Sequence, residues 1–337
     1  MDVISISGRL GAKNLEWFDK LIRSQSKQPV ACYIGQPGPS ATPDDTYLTI
    51  DIESLWITHV RRGLKKFYGA IYGNISVPYE TGEKRIFQAF NPVADIQELD
   101  AKHLDRIVQG PYRLLDSVPY RGGGIDIRIS LFSIKSADLA APYIKLLKNI
   151  SDTAGVAFIN RMVPLVDVIQ SGLSSLTGDN SLEIGRYGVF DSIQSGYYAV
   201  VRCDRNVLST ENLTFNEQTR SLHFNGKEIV EYPYFVLKIS TSRERENWYS
   251  IPDIQNKFDR MKKQFEMAPT DLEKNMEYFD SFSTAVELSP DLISKHATKL
   301  VEETRERFAK YITEQRRSIT DYGDPLALTL RDFNPFS

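Results

Sequence analysis

The spacing of apolar residues changes along this chain, and that change limits the folds open to it. Leu48, Ile50 and Ile52 alternate with Thr49, Asp51 and Glu53, and Phe67, Gly69, Ile71, Gly73, Ile75 and Val77 share one side of the next segment. Ile125, Ile127, Ile129 and Leu131 alternate with Asp126, Arg128 and Ser130. A period of two predicts strands with one buried and one wetter face, and the run from Tyr47 to Phe90 reads as a three-stranded meander. Leu182 and Ile184, then Tyr197, Ala199, Val201 and Cys203, and finally Tyr234 to Ser240, continue this alternation. Asn225-Gly226 between Leu222-His-Phe224 and Ile229-Val230 predicts a tight hairpin, because both residues accept the positive φ of a type I′ turn.

Helical spacing interrupts the strands and then replaces them. Leu15, Phe18 and Ile22 behind a capping Asn14, and the capping box Asp95-Ile-Gln-Glu98, predict two helices in the first third. Leu139, Tyr143, Leu146 and Ile150, followed by the apolar stretch from Val156 to Leu176, predict a helical pair over about 136–176. Past Ser250 the strand signals stop. Ile254, Phe258, Met261 and Phe265 trace one helix, and Ser289-Pro290 predicts the opening of a long one bearing Leu292, His296, Val301, Phe308 and Ile312. The regular strand-helix-strand alternation of a doubly wound nucleotide-binding fold is missing. The expected fold class is therefore α+β: a mostly antiparallel, β-sandwich-like domain over residues 1–245 with an inserted helical pair, a C-terminal helical appendage over 246–319, and an extended tail over 320–337.

Composition narrows the function classes. Lys+Arg of 41 against Asp+Glu of 44 leaves a net charge of -3, so the chain lacks the global basic footprint of non-specific nucleic-acid binding. Two cysteines and four histidines fall short of a disulfide framework or a thiolate zinc site. Asp51, Glu53 and His59 share strand parity, but Glu53 and His59 stand roughly 20 Å apart along a strand, too far for one metal ion. No metal and no cofactor is expected. The opening residues MDVISISGRLGAKN show no basic segment followed by an apolar one, so no secretory signal is expected and the expected location is cytoplasmic.

Two clusters are candidate anion sites. Arg61, Arg62, Lys65 and Lys66 precede Phe67-Tyr68, a basic patch with aromatics beside it, and Arg121-Gly122-Gly123-Gly124 joins a guanidinium to a glycine run that could form an anion nest. Cys32 and Cys203 read as buried thiols rather than nucleophiles, since neither has a histidine beside it in sequence. A membrane span from Val156 to Leu176 is not favoured, because Arg161 and Asp167 would sit in hydrocarbon. On the last helix, Leu292, His296, Val301, Phe308 and Ile312 form a narrow apolar stripe amid dense charge, which is the expected face for self-association or a protein partner.

The strings GGGIDIRISLFSIKSADLA and YPYFVLKISTSRERENWYSIPDI resemble segments of uncharacterised bacterial proteins from predicted anti-phage or conflict gene clusters. That resemblance implies a bacterial multi-protein setting and brings no catalytic residue with it. The leading expectation is a non-enzymatic interaction or assembly component. The alternatives are a hydrolase whose site is assembled from distant residues, and a membrane- or nucleic-acid-binding effector.

Overall fold

Alternation tells which way a side chain faces but not which strand lies alongside, and it is the pairing that sorts this chain's strands into sheets. The computed structural model describes residues 29–57, 61–62, 65–79, 84–90, 112–135, 181–204, 207–268 and 271–322. The helices expected near Leu15 and Asp95, the helical pair over 136–176 and the residues after 322 lie outside the described residues. The protein is α+β, with sheets of antiparallel pairs and three long helices among the described residues. It divides into two units. One comprises Met1–Ala41, Leu48–Asp116 and Arg121–Thr241; the other comprises Thr42–Tyr47, Ser117–Tyr120 and Ser242–Ser337.

β1 (Val30–Ile34), β9 (Gly196–Val201), β13 (Tyr234–Ser242), β2 (Tyr47–Trp56) and β6 (Tyr112–Pro119), all but their end residues Tyr47, Ser117–Pro119 and Ser242 in the first unit, follow one another across a five-stranded sheet. A second sheet holds β3 (Arg61–Arg62), β4 (Lys65–Pro78), β7 (Ile125–Lys135) and β8 (Ser181–Phe190), with β5 (Lys84–Phe90) on β4. The expected meander is thus split, because β2 pairs in one sheet while β4 and β5 pair in the other. β6 was not foreseen: adjacent Leu114 and Leu115 break the alternation, and both are buried. The wet face expected for β2 is also missing. Flanked on both sides and covered on both faces, β2 keeps Thr49 and Glu53 half-buried and Asp51 only 8% exposed.

A third, small sheet of β10 (Leu213–Asn216), β11 (Ser221–Phe224) and β12 (Lys227–Glu228) contains the expected hairpin, with φ of 50° at Asn225 and 76° at Gly226. It packs on the five-stranded sheet through Leu213 and Leu222 against Ala199, Val201, Tyr234 and Val236. Trp56 Nε1 donates to Val230 O at 3.2 Å and Ser54 Oγ donates to Arg220 O at 2.6 Å, pinning the hairpin to β2. Burial on both faces explains why Tyr234 to Leu237 is a continuous apolar run rather than an alternating one.

The second unit is built on α1 (Pro252–Met267), α2 (Leu272–Glu287) and α3 (Ser294–Tyr322). Pro252 opens α1 at a position where its missing N–H costs nothing, and Asp271 caps α2 by accepting from Lys274 N at 3.2 Å. α3 begins at Ser294 rather than at Ser289-Pro290, where Leu292 N–H donates to Ser289 O and closes a turn ahead of the helix. The core is aromatic. Phe308 stacks between Phe265, with ring centroids 4.8 Å apart, and Phe279, at 5.3 Å, while Phe258 meets Phe282 at 5.7 Å. The short segments are tied by Tyr120 N–H donating to Thr46 O and Asp44 N–H donating to Tyr120 O.

Candidate functional site

Strand parity alone brings a serine and a histidine together on β11. Ser221 and His223 are two apart and so face the same way, and Ser221 Oγ lies 2.9 Å from His223 Nε2. Thr219 Oγ1 lies 2.6 Å from Ser221 Oγ and completes a chain of two hydroxyls ending on an imidazole. Thr219 is exposed, Ser221 buried and His223 half-buried, so the serine is the most buried member of the chain. Across the strand pairs, Glu228 and Thr214 stand opposite His223. A hydroxyl within hydrogen-bond reach of an imidazole is the minimal nucleophile-base pair of acyl transfer. Sequence reasoning missed it; the signal was Ser-Leu-His inside a segment already read as a strand.

A second polar cluster lies inside the helical unit, at the start of α3. Tyr47 is fully buried and His296 is 5% exposed. Tyr47 OH lies 2.9 Å from His296 Nδ1 and accepts from Ile293 N–H at 2.9 Å. Arg245 N–H, a group that can only donate, also points at Nδ1, from 3.3 Å. Nδ1 must therefore carry a lone pair, which places the ring proton on Nε2, leaves the imidazole neutral, and makes Tyr47 OH the donor. Burial holds His296 below its ordinary 6.5; Glu244 and Glu303 pull upward, while Lys299 and Arg245 add to the depression. The Arg245 side chain donates to Asn247 Oδ1 at 2.9 Å and to Asp291 O at 3.3 Å, so one buried residue ties its own stretch to the turn ahead of α3.

The residues expected to form a docking face on α3 are accounted for by the unit itself. Leu292, His296, Val301 and Phe308 are all 5% exposed or less, and Leu292, Val301 and Phe308 belong to its aromatic core; the side chain of Ile312 lies outside the described residues. The stripe looked narrow because Ala297, Leu300 and Tyr311 widen it, and because its apolar partners come from α1 and α2. Leu292, Val301 and Phe308 are therefore core residues of this unit rather than an exposed face.

Arg61 pairs with Lys66 and Arg62 with Lys65 in the backbone register of the β3–β4 ladder. Gly122 and Gly123 both have positive φ, 87° and 77°, as the central pair of a tight turn does, whereas an anion nest alternates hand. A Cβ at Gly124 would meet Asp191 Oδ1 at 3.0 Å, so a carboxylate rather than an anion's partner borders that turn. Asp51 is engaged by Arg113, Nε to Oδ1 at 2.9 Å. Burial pushes the Cys32 thiol up, Cys203 is buried, and neither forms a disulfide. Among the described residues no group of three potential ligands could hold a metal ion. No helix among them is long and apolar enough to cross a membrane.

No protein-family model, curated protein or solved structure matches the chain.

Proposed function

We propose that this chain is a non-enzymatic interaction component that self-associates through its helical unit, within a bacterial multi-protein system of the anti-phage kind and in the cytoplasm. The observation that carries the reading is where the helical unit leaves large apolar side chains outside its core. Met267 is 72% exposed at the end of α1, Met276 is 45% exposed in α2, and Leu288 is 77% exposed just past α2. The same unit buries Phe258, Met261, Phe265, Phe279, Phe282 and Val286 thoroughly, so these three are not there for want of a core; Tyr249, 44% exposed, adds a fourth outward apolar side chain. Methionine adapts its shape to a partner surface, which suits an interface. In this reading the first unit is a β-sandwich-like platform carrying the helical pair of 136–176, and the helices from 246 are its appendage.

The test is size-exclusion chromatography with light scattering on the full chain and on a variant with Met267→Lys, Met276→Lys and Leu288→Lys. An oligomer that the triple variant disperses, with the melting temperature unchanged, is the expected result. A monomer across the whole concentration range would overturn self-association.

A hydrolase is the second reading, and Ser221 with His223 favours it. Here a fluorophosphonate probe should label the wild type and leave Ser221→Ala unlabelled. An unlabelled wild type removes this reading.

A further inference from the structure

His296 is unusual among the buried groups of the helical unit because its role depends on its proton count. Neutral, its Nδ1 accepts from both Tyr47 OH and Arg245 N–H. Protonated, Nδ1 becomes a donor, and a donor cannot face the Arg245 N–H. Tyr47 O would have to take the new proton's bond while still accepting from Ile293 N–H, and Arg245 N–H would lose its bond to Nδ1 and face a donor there. We propose that the Tyr47–His296–Arg245 cluster is an acid-sensitive latch, which holds the start of α3 at neutral pH and releases it when the imidazole becomes protonated.

The charges around the latch nearly balance. Glu244 beside Arg245, and Glu303 one turn beyond Lys299 on α3, favour the imidazolium; Arg245 and Lys299 oppose it. Lys299 is engaged by Glu244, and Asp45 by Lys295 and Arg243, so the carboxylates nearest the latch already have cations. Desolvation is left as the dominant influence, and it favours the neutral ring.

The test is amide hydrogen exchange on the full chain at about pH 7.5 and about pH 5, corrected for intrinsic rates, a range in which histidine is the side chain that ordinarily titrates. Protection at Ile293 and Arg245 should fall at least about tenfold on acidification, while amides of β4 and β7 keep theirs. His296→Gln, which can accept a hydrogen bond but not a proton, should show equal protection at both values. Wild-type protection that ignores pH, or a His296→Gln protein that loses it equally, would overturn the latch. Should His296→Gln not fold, Tyr47→Phe decides. Loss of the hydroxyl donor weakens the neutral ring's bonding, so the acid midpoint must move to higher pH; an unmoved midpoint also overturns the latch.

Discussion

A buried polar atom is judged by what it bonds to. β4 and β7 turn Ile71, Ile75, Val77, Ile127 and Ile129 to one side and Asn74, Ser76 and Ser130 to the other, and all of these are buried. Ser130 is fully buried, and its Oγ has no hydrogen-bond partner among the described residues. Such a hydroxyl carries its full desolvation cost, on the order of 1–3 kcal/mol, with nothing to offset it. Ser130→Ala should therefore leave stability unchanged or raise it by about 1 kcal/mol in urea unfolding. A clear loss would mean the hydroxyl is satisfied in solution, by water or by a ligand. The Ile pattern was legible in the sequence as a buried face; the burial of the polar face was not, because it depends on what covers the sheet.

At the scale of elements, local chemistry decides where helices and turns begin. Asp271 supplies an acceptor to the first turn of α2, and with Asn275 Nδ2 donating to Ala268 O at 3.1 Å it fixes the connection to α1. Asp271→Ala should cost about 1 kcal/mol, read as a lowered urea midpoint, whereas Asp271→Ser should restore most of it. If the two behave alike, the cap is not what holds this connection. The Asn225-Gly226 turn and α1 were both readable, because each depends on a few adjacent residues. The start of α3 was misplaced at Ser289-Pro290, because Pro at a first helical position and Pro in a turn look the same in sequence.

At the scale of the molecule, the helical unit stands on shared aromatics. Removing everything after Met267 deletes Phe279, Phe282 and Phe308 and strips Phe258 and Phe265 of their partners. Each such ring is worth about 3–5 kcal/mol when lost from a core. The truncated chain should therefore lose the helical signal of α1 as well, with far-UV circular dichroism falling by more than the deleted helices account for. A retained α1 would show that it is held elsewhere.

Acid should act on the whole molecule in two stages. His296, depressed below 6.5, binds its proton more readily in the unfolded chain, so the stability it lends is complete above pH 6.5 and declines below it. Asp45 and Glu244, both depressed by lysine partners, lend stability above their ordinary 3.8 and 4.5 that is lost at lower pH. Urea midpoints across pH should show both declines, and His296→Gln should remove the first alone.

The sequence by itself determined the α+β class, the face of each well-patterned strand, the I′ hairpin and the helical character after Ser250, since all of these rest on periodicity or on one residue's backbone freedom. Only the tertiary structure decided that β2 leaves β4 for β13 and β6, that Leu292, Val301 and Phe308 of the expected stripe are core, and that Tyr47 meets His296 across most of the chain. Pairing and packing partners are set by long-range burial, which periodicity along a chain does not encode.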